Sequence, residues 1–182
     1  MFKAMRNEKY NFLFKSSFTD EIFFLAWTTT PWTLPSNLGL TVGANIDYVL
    51  VKTFNPYTYL PINVIVAKVL FSKWFAKNES SEENVHIGDS QNHSLLSMEV
   101  PAPFMSDIEA LKKLQEKGKI ATWKILAEFK GKELEGVSYE QLMPFEANTL
   151  EKIQEITPGA QPFRIVTGDF VTTEDGTGIV HT

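Results

Sequence analysis

Three consecutive threonines, Thr28, Thr29 and Thr30, end the most apolar run of the chain and precede a turn that contains two prolines. The surrounding stretch, residues 25–37, reads LAWTTTPWTLPSN. Hydroxyl side chains compete for backbone hydrogen bonds and weaken regular structure. A strand that ends in such a triplet often presents its hydroxyl groups to a bound molecule. Threonine followed by proline is also a common strand end, so the triplet alone leaves a structural role open.

A second group of polar residues lies near the other end of the chain, in GDFVTTEDGTGIVH (168–181). Gly178 allows the backbone to approach another backbone segment or a ligand closely. A short apolar strand follows, and His181 stands at its end. Taken alone, a histidine in that position is more often structural, and Asp169 and Asp175 are typical turn residues.

Composition excludes several classes of site and protein. The 182-residue chain has no cysteine, so it has neither a disulfide framework nor a cysteine-ligated zinc ion. No histidine cluster has metal-ligand spacing, and we expect no metal site. The net charge of −5 argues against a surface that binds nucleic acid over its whole extent. No apolar run reaches the length of about 18 residues that a membrane span needs.

The apolar pattern predicts a strand-dominated mixed α/β fold with a β-barrel core, closed or nearly closed, and helical insertions. Its length predicts one domain, residues 1–182. The expected elements are strands at 10–18, 21–29, 46–54 and within 57–67, a short helix at 68–77, a hairpin at 122–136 that turns near Gly131, and short strands within 161–182. Residues 78–120 are predicted to be an insertion that carries one helix at about 106–117.

Two of these stretches resemble known signatures when they are taken together. WTTTPWTLPSN resembles the signature of the editing domain of isoleucyl-tRNA synthetase, connective polypeptide 1 of a class I aminoacyl-tRNA synthetase. GTGIVHT resembles the second signature of that domain, and FKGKELEGVSYEQLMPF (129–145) resembles the region between them. The related valyl and leucyl domains typically carry arginine after two threonines. Thr30 and Trp32 therefore indicate the isoleucine type.

The resemblance implies a fold of the valyl, isoleucyl and leucyl editing type and a specific activity. A pocket gains only about 1–3 kcal/mol from one methylene, and isoleucyl-tRNA synthetase is the standard example of that limit. The implied activity is post-transfer editing, the hydrolysis of mischarged valyl-tRNA(Ile). The implied partners are the aminoacylated 3′ end of tRNA(Ile) and the remainder of a larger synthetase, from which the chain is expected to be excised. We expect a cytoplasmic monomer without its own cofactor, since ATP serves the synthetic domain of the parent enzyme.

The resemblance also assigns the catalytic roles. Thr28, Thr29 and Thr30 would bind the substrate and position the attacking water, because an activated ester needs an oriented water and a held carbonyl.

Four further residues are implied in substrate binding. Trp32 would form a rigid wall, and Asn37 would help to hold the substrate from the same loop. Gly178 would allow close approach of the backbone, and His181 would narrow the amino-acid pocket so that isoleucine is rejected by size.

Two alternatives stay open at this stage. The chain could bind the aminoacyl-tRNA 3′ end without hydrolysing it, or it could be an unrelated β-barrel interaction domain in which the threonines only end a strand. In the family, an aspartate beyond the position of Thr182 binds the substrate amino group. We therefore expect weak activity from the isolated chain unless Asp169 or Asp175 supplies that carboxylate.

Overall fold

The computed structural model describes residues 1–15, 21–55, 61–75, 123–143 and 149–182. The predicted insertion at 78–120, with its helix, lies outside the described residues. The strands are β1 (Phe2–Lys3), β2 (Ile22–Phe24), β3 (Gly39–Val42), β4 (Asp47–Phe54), β5 (Pro61–Ala67), β6 (Lys124–Lys130), β7 (Arg164–Thr167) and β8 (Ile179–His181). The helices are α1 (Phe71–Trp74), α2 (Gly131–Leu134) and α3 (Thr149–Ile156), with 3₁₀ helices at Glu8–Tyr10, Pro31–Ser36 and Lys68–Leu70.

The described strands form two sheets. The larger has the order β1-β2-β5-β4-β6, and the smaller has the order β7-β3-β8. Strand β5 pairs in parallel with β2 and antiparallel with β4. Strand β3 pairs in parallel with β7 and antiparallel with β8. Strand β3, at the centre of the small sheet, therefore directly follows residues 25–38, which we call the threonine loop. It lies beside β8, the strand that carries His181.

A short extended segment connects the edges of the two sheets. Tyr139 forms an isolated antiparallel bridge with Ala4 next to β1, and Ser138 forms one with Arg164 of β7. The Tyr139 N–H donates to the Phe163 carbonyl at 2.8 Å. This segment brings the small sheet and the large sheet into one hydrogen-bonded framework.

Strands β4 and β5 are buried on both faces over most of their length. Tyr48, Leu50 and Ile65 belong to the principal core. Alternate residues of the same strands, such as Val49 and Val64, belong to a second cluster on the other face. Three aromatic side chains pack against that second cluster, namely Phe71, Phe75 and Trp123. The Phe71 ring centroid lies 5.0 Å from that of Phe75 and 4.6 Å from that of Trp123. These two strands are the rigid support for the elements around them.

The predicted strands at 46–54 and within 57–67 and the predicted short helix after them are confirmed. The closed or nearly closed β-barrel is not confirmed, because the described strands form two sheets and no closed barrel. The fold is otherwise the strand-dominated mixed one that the sequence predicts.

Two predicted elements are wrong, and the strand predicted at 21–29 is confirmed only at Ile22–Phe24. The hairpin at 122–136 is instead β6 followed by helix α2, because the Gly131 N–H donates to the Ile46 carbonyl at 2.9 Å and a side chain at Gly131 would overlap the Gly43 carbonyl. The chain is thereby held against the β3–β4 turn and does not return as a strand. The start of the predicted strand at 10–18 is a 3₁₀ helix and turn, capped by the Asn7 side chain, which accepts the Lys9 N–H at 2.9 Å.

In the described ranges, no helix is long and apolar enough to cross a membrane.

The buried Tyr48 hydroxyl links the core to the small sheet. It accepts the Gly43 N–H at 3.0 Å and donates to the Gly178 carbonyl at 2.6 Å. Burial raises the pKa of Tyr48 to about 12, against a small opposing effect of the Gly43 hydrogen bond. Because the folded chain disfavours the phenolate, this contribution to stability is present below pH 10 and is lost as the pH rises from 10 towards 12.

We predict that Tyr48 lowers the free energy of unfolding by about 1.4 kcal/mol between pH 8 and pH 11. Urea unfolding at both pH values measures the loss in the wild-type chain. Tyr48→Phe is less stable at pH 8 because it loses the bond to Gly178, but its pH 8-to-11 loss is smaller by that amount. An equal loss in both proteins would show that Tyr48 is not the titrating group.

Candidate active site

The threonine loop begins where strand β2 leaves the large sheet. The Leu25 N–H still donates to the Ile65 carbonyl at 3.2 Å, and the chain then turns away. Thr30 has φ −122° and ψ 65°, outside helical geometry, as a residue before proline should be. Pro31 starts the 3₁₀ helix Pro31–Ser36, a position where its missing N–H costs nothing. The loop is therefore stiff on the side that follows the triplet.

The hydroxyls of this loop are connected to one another. Thr28 Oγ1 accepts the Thr30 N–H at 3.0 Å and lies 3.2 Å from Thr30 Oγ1. Thr33 Oγ1 donates to the Thr30 carbonyl at 2.7 Å and lies 3.4 Å from Thr30 Oγ1. Thr28 and Thr30 are half-buried. The loop thus holds two side-chain hydroxyls in fixed positions at a partly solvent-accessible surface.

His181 reaches the same place from the small sheet. It lies at the end of β8, paired in register with Leu40 of β3. Its Nε2 lies 2.9 Å from Thr28 Oγ1, a hydrogen bond whose donor depends on the imidazole tautomer. The two sequence motifs therefore meet at one place, as the common substrate site that the resemblance implies requires. We call Thr28, Thr30 and His181 the threonine–histidine site.

Asn37 is buried beneath the site and its amide is bound to the protein. Its Nδ2 donates to the Gly39 carbonyl at 2.6 Å and the Thr182 carbonyl at 3.1 Å, and its Oδ1 accepts the Tyr139 hydroxyl at 2.6 Å. These contacts join the end of the threonine loop to the strand of His181. The substrate contact that the resemblance implies for Asn37 stays a prediction, and the geometry adds a structural role.

Gly178 lies where β8 approaches β5. Its φ is +72°, and a Cβ at this position would overlap the Ala67 side chain. The neighbouring Thr177 carbonyl accepts the Ala67 N–H at 2.9 Å. This close backbone contact sets the course of β8 towards His181, while binding of substrate by Gly178 stays a prediction.

Thr29 and Trp32 are exposed, and Trp32 has 74% of its surface open to solvent. Within the described ranges neither side chain makes a hydrogen bond. Both side chains are open to contact with a bound molecule. Their predicted roles in catalysis and as a wall of the pocket are not tested by this arrangement.

The turn before β8 is fastened by helix α1. Trp74 Nε1 donates to the Gly176 carbonyl at 2.9 Å. Lys73 donates to the Glu174 carbonyl and lies 3.4 Å from Asp175 Oδ1. Asp175, which the sequence analysis named as a possible partner for a substrate amino group, is thus exposed and faces a lysine.

Sequence reasoning missed three residues of this region. Thr33 braces Thr30, Trp27 lies against Gly176, and Tyr139 holds Asn37. Thr33 had a usable signal, because a threonine side chain can bond back to a carbonyl three or four residues earlier. Tyr139 had none, since its partner is 102 residues away in the chain.

The site is made of neutral hydroxyls, backbone groups and one imidazole. Among the residues that the structure describes, no group of three or more histidine, aspartate or glutamate side chains is arranged to hold a metal ion. Such a site can hold a polar carbonyl and a water molecule by hydrogen bonds.

The chain is similar to isoleucine–tRNA ligases of several bacteria. It is 46% identical to that of Cytophaga hutchinsonii over 90% of this chain, 44% identical to that of Porphyromonas gingivalis over 88%, and 41% identical to that of Bacteroides fragilis over 87%. The matched region is only 11% of each relative's length. No protein-family model matches the chain.

Solved structures with the same fold are editing domains of leucyl-tRNA synthetases. GlLeuRS-CP1 gives a TM-score of 0.53 at 13% identity, over 100% of this chain and 52% of that chain. The editing domain of the cytosolic leucyl-tRNA synthetase of P. knowlesi gives 0.52 at 13% identity, over 99% and 55%. At this identity the likeness establishes the fold.

We predict that Gly178→Ala destabilises the chain more than Gly159→Ala does. Both glycines have positive φ, so both alanines cost about 1–2 kcal/mol for the left-handed backbone. A Cβ at Gly159 meets nothing within 4 Å, whereas one at Gly178 overlaps Ala67. The overlap adds about 1–3 kcal/mol.

Urea unfolding of the two variants measures the difference. Equal losses of unfolding free energy would show that β8 has room to shift away from β5.

Proposed function

The chain is homologous to one segment of isoleucine–tRNA ligases, and from this premise we propose that the threonine–histidine site hydrolyses the ester bond of valyl-tRNA(Ile). The observation that carries the proposal is the 2.9 Å contact between Thr28 Oγ1 and His181 Nε2. It brings the two motifs that resemble editing signatures to one point of a fold shared with editing domains.

The reaction needs an oriented water and a held carbonyl. The water oxygen forms a bond to the ester carbonyl carbon, the bond from that carbon to the ribose oxygen breaks, and the ribose oxygen takes up a proton. Valine and deacylated tRNA leave. Because an aminoacyl ester is already activated, positioning and hydrogen bonding supply most of what the protein must add.

Thr28 and Thr30 hold the substrate and the water in this scheme. The Thr30 N–H and the His181 ring both contact Thr28 Oγ1, so this hydroxyl has little freedom to rotate. Thr29, whose side chain is exposed, contacts the incoming 3′ end. A hydroxyl fixed before the substrate arrives costs no reorganisation during the reaction.

Selection by size is assigned to His181. The synthetic site of an isoleucine enzyme gains only about 1–3 kcal/mol from the extra methylene of isoleucine, so valine is charged too often. A second pocket that is too small for isoleucine removes this error. The half-buried imidazole at the end of β8 provides a rigid wall for such a pocket. Trp32, which is exposed on the neighbouring 3₁₀ helix, is assigned to the adenosine side.

The remaining assignments concern support and partners. Asn37 and Gly178 shape the site from below, and contact with the substrate adds to that role. The partners are the aminoacylated 3′ end of tRNA(Ile) and the other regions of a synthetase. The substrate amino group needs an anionic partner. Asp169, which is exposed on the turn after β7, is a candidate for that partner.

We predict that the chain deacylates valyl-tRNA(Ile) faster than the uncatalysed reaction, and that Thr28→Val lowers this rate roughly 10- to 100-fold, the effect of one oriented hydrogen bond in a hydrolytic site. Valine keeps the shape of threonine and removes only the hydroxyl. Thr157→Val, at the exposed end of α3, is the matched control and keeps the wild-type rate.

The same assay with isoleucyl-tRNA(Ile) tests the sieve. His181→Ala raises hydrolysis of the isoleucyl ester relative to the valyl ester, because the pocket then admits the extra methylene. Binding of valyl-tRNA(Ile) with hydrolysis at the background rate would support the binding-module alternative and contradict the proposal. Unchanged discrimination in His181→Ala would remove His181 from the sieve.

A further inference from the structure

Tyr139 is a buried tyrosine whose hydroxyl serves one side chain. Only 1% of its surface is exposed, and its O–H donates to Asn37 Oδ1 at 2.6 Å. Its backbone is fixed on both sides by the bridge to Ala4 and the hydrogen bond to the Phe163 carbonyl. The ring packs edge-on against Phe2, with centroids 5.4 Å apart. The hydroxyl is therefore held in place by the framework that connects the two sheets.

The Tyr139 hydroxyl and two backbone carbonyls together hold the Asn37 amide in one orientation. An amide has an acceptor on one side and two donors on the other. With Oδ1 bound to Tyr139, the Nδ2 hydrogens point to the carbonyls of Gly39 and Thr182. A flipped amide would place its oxygen against these two carbonyls and lose both bonds.

These two carbonyls belong to the two chain segments that form the two arms of the site, the threonine loop and strand β8. Gly39 begins β3, directly after the threonine loop, and Thr182 follows His181. The amide thus adds two bonds to the backbone hydrogen bonds that join the loop exit to the strand end, which run from the Leu38 and Gly39 N–H groups to the Thr182 carbonyl and from the Thr182 N–H to the Gly39 carbonyl. The distance between Thr28 and His181 depends on the spacing of loop exit and strand end, because each side chain extends from one of the two arms.

From this chain of contacts we propose that Tyr139 is a positioning residue for the threonine–histidine site, acting through its hydrogen bond to the Asn37 amide. The proposal rests on the proposed function for its kinetic consequence, but its structural consequence stands alone. Burial raises the pKa of Tyr139 well above its usual range, so the hydroxyl keeps its proton and donates at neutral pH. Tyr139 itself does not touch the substrate.

The test compares Tyr139→Phe with a matched control in the 182-residue chain. Tyr10→Phe also removes the hydroxyl of a buried tyrosine, one that donates to the Glu135 carbonyl at 2.9 Å away from the site. Urea unfolding shows a similar loss of stability in both variants. Only Tyr139→Phe lowers kcat for valyl-tRNA(Ile), by roughly tenfold, with KM within about twofold, since transition-state positioning is lost and tRNA binding is not.

A spectroscopic measurement covers the case in which the chain has no deacylase activity. The imidazole ¹⁵N resonances of His181, assigned by their loss in His181→Gln, move in Tyr139→Phe and stay in place in Tyr10→Phe. Asn37→Asp, which keeps the acceptor for Tyr139 and loses both donors, moves them as well and provides a second route if Tyr139→Phe does not fold.

The outcomes separate the two proposals. Wild-type chain without deacylase activity contradicts the proposed function, and the His181 resonances then decide the role of Tyr139. Unmoved resonances in Tyr139→Phe and Asn37→Asp, an equal loss of kcat in Tyr139→Phe and Tyr10→Phe, or a rise in KM at constant kcat would each overturn the positioning role.

Discussion

The hydrogen bond between the Thr28 hydroxyl and the His181 imidazole joins two residues that are 153 positions apart in the chain. It forms only if the loop that follows strand β2 and the end of strand β8, which carries the histidine, come together. Strand β5 makes that possible, because it pairs with β2 along one edge and its last residue, Ala67, accepts the close approach of β8 at Gly178. Burial of β5 on both faces gives this arrangement a rigid base.

The site is held from several directions by groups that have no charge. The Tyr48 hydroxyl fixes Gly178, the Asn37 amide fixes Thr182, and the Trp74 indole fixes Gly176. Where such a bond is buried, as between Tyr48 and Gly178, leaving one partner unsatisfied is costly and the geometry is therefore specific. The Trp74 bond lies at the exposed edge of this arrangement. A site built from hydroxyls has little charge of its own to orient a substrate, so the precision of its position matters more than it does in a charged site.

Much of the framework follows from local sequence. The apolar runs at β4 and β5 predict strands there, whereas the strand predicted at 21–29 ends at Phe24, before the Thr-Pro step that predicts its end. Long-range pairing is not available locally. Gly131 lies in a sequence pattern typical of a hairpin. In the structure its backbone packs closely against the Gly43 carbonyl, and the chain continues as helix α2. The resemblance places Asn37 in the site, but no sequence pattern indicates that Tyr139, 102 residues away, bonds to its amide. The expectation that the two motifs share a site came from their resemblance to a family. No local sequence pattern predicts that they meet.

The most direct test of the account is a crystal structure of the chain with an amide-linked, non-hydrolysable analogue of valyl-adenosine. We expect the valyl carbonyl to lie within hydrogen-bond distance of the Thr28 or Thr30 hydroxyl and the valyl side chain to pack against the His181 ring. The corresponding isoleucyl analogue should leave the site empty under the same conditions. Binding of the valyl analogue elsewhere on the surface, or equal occupancy by both analogues, would contradict the account.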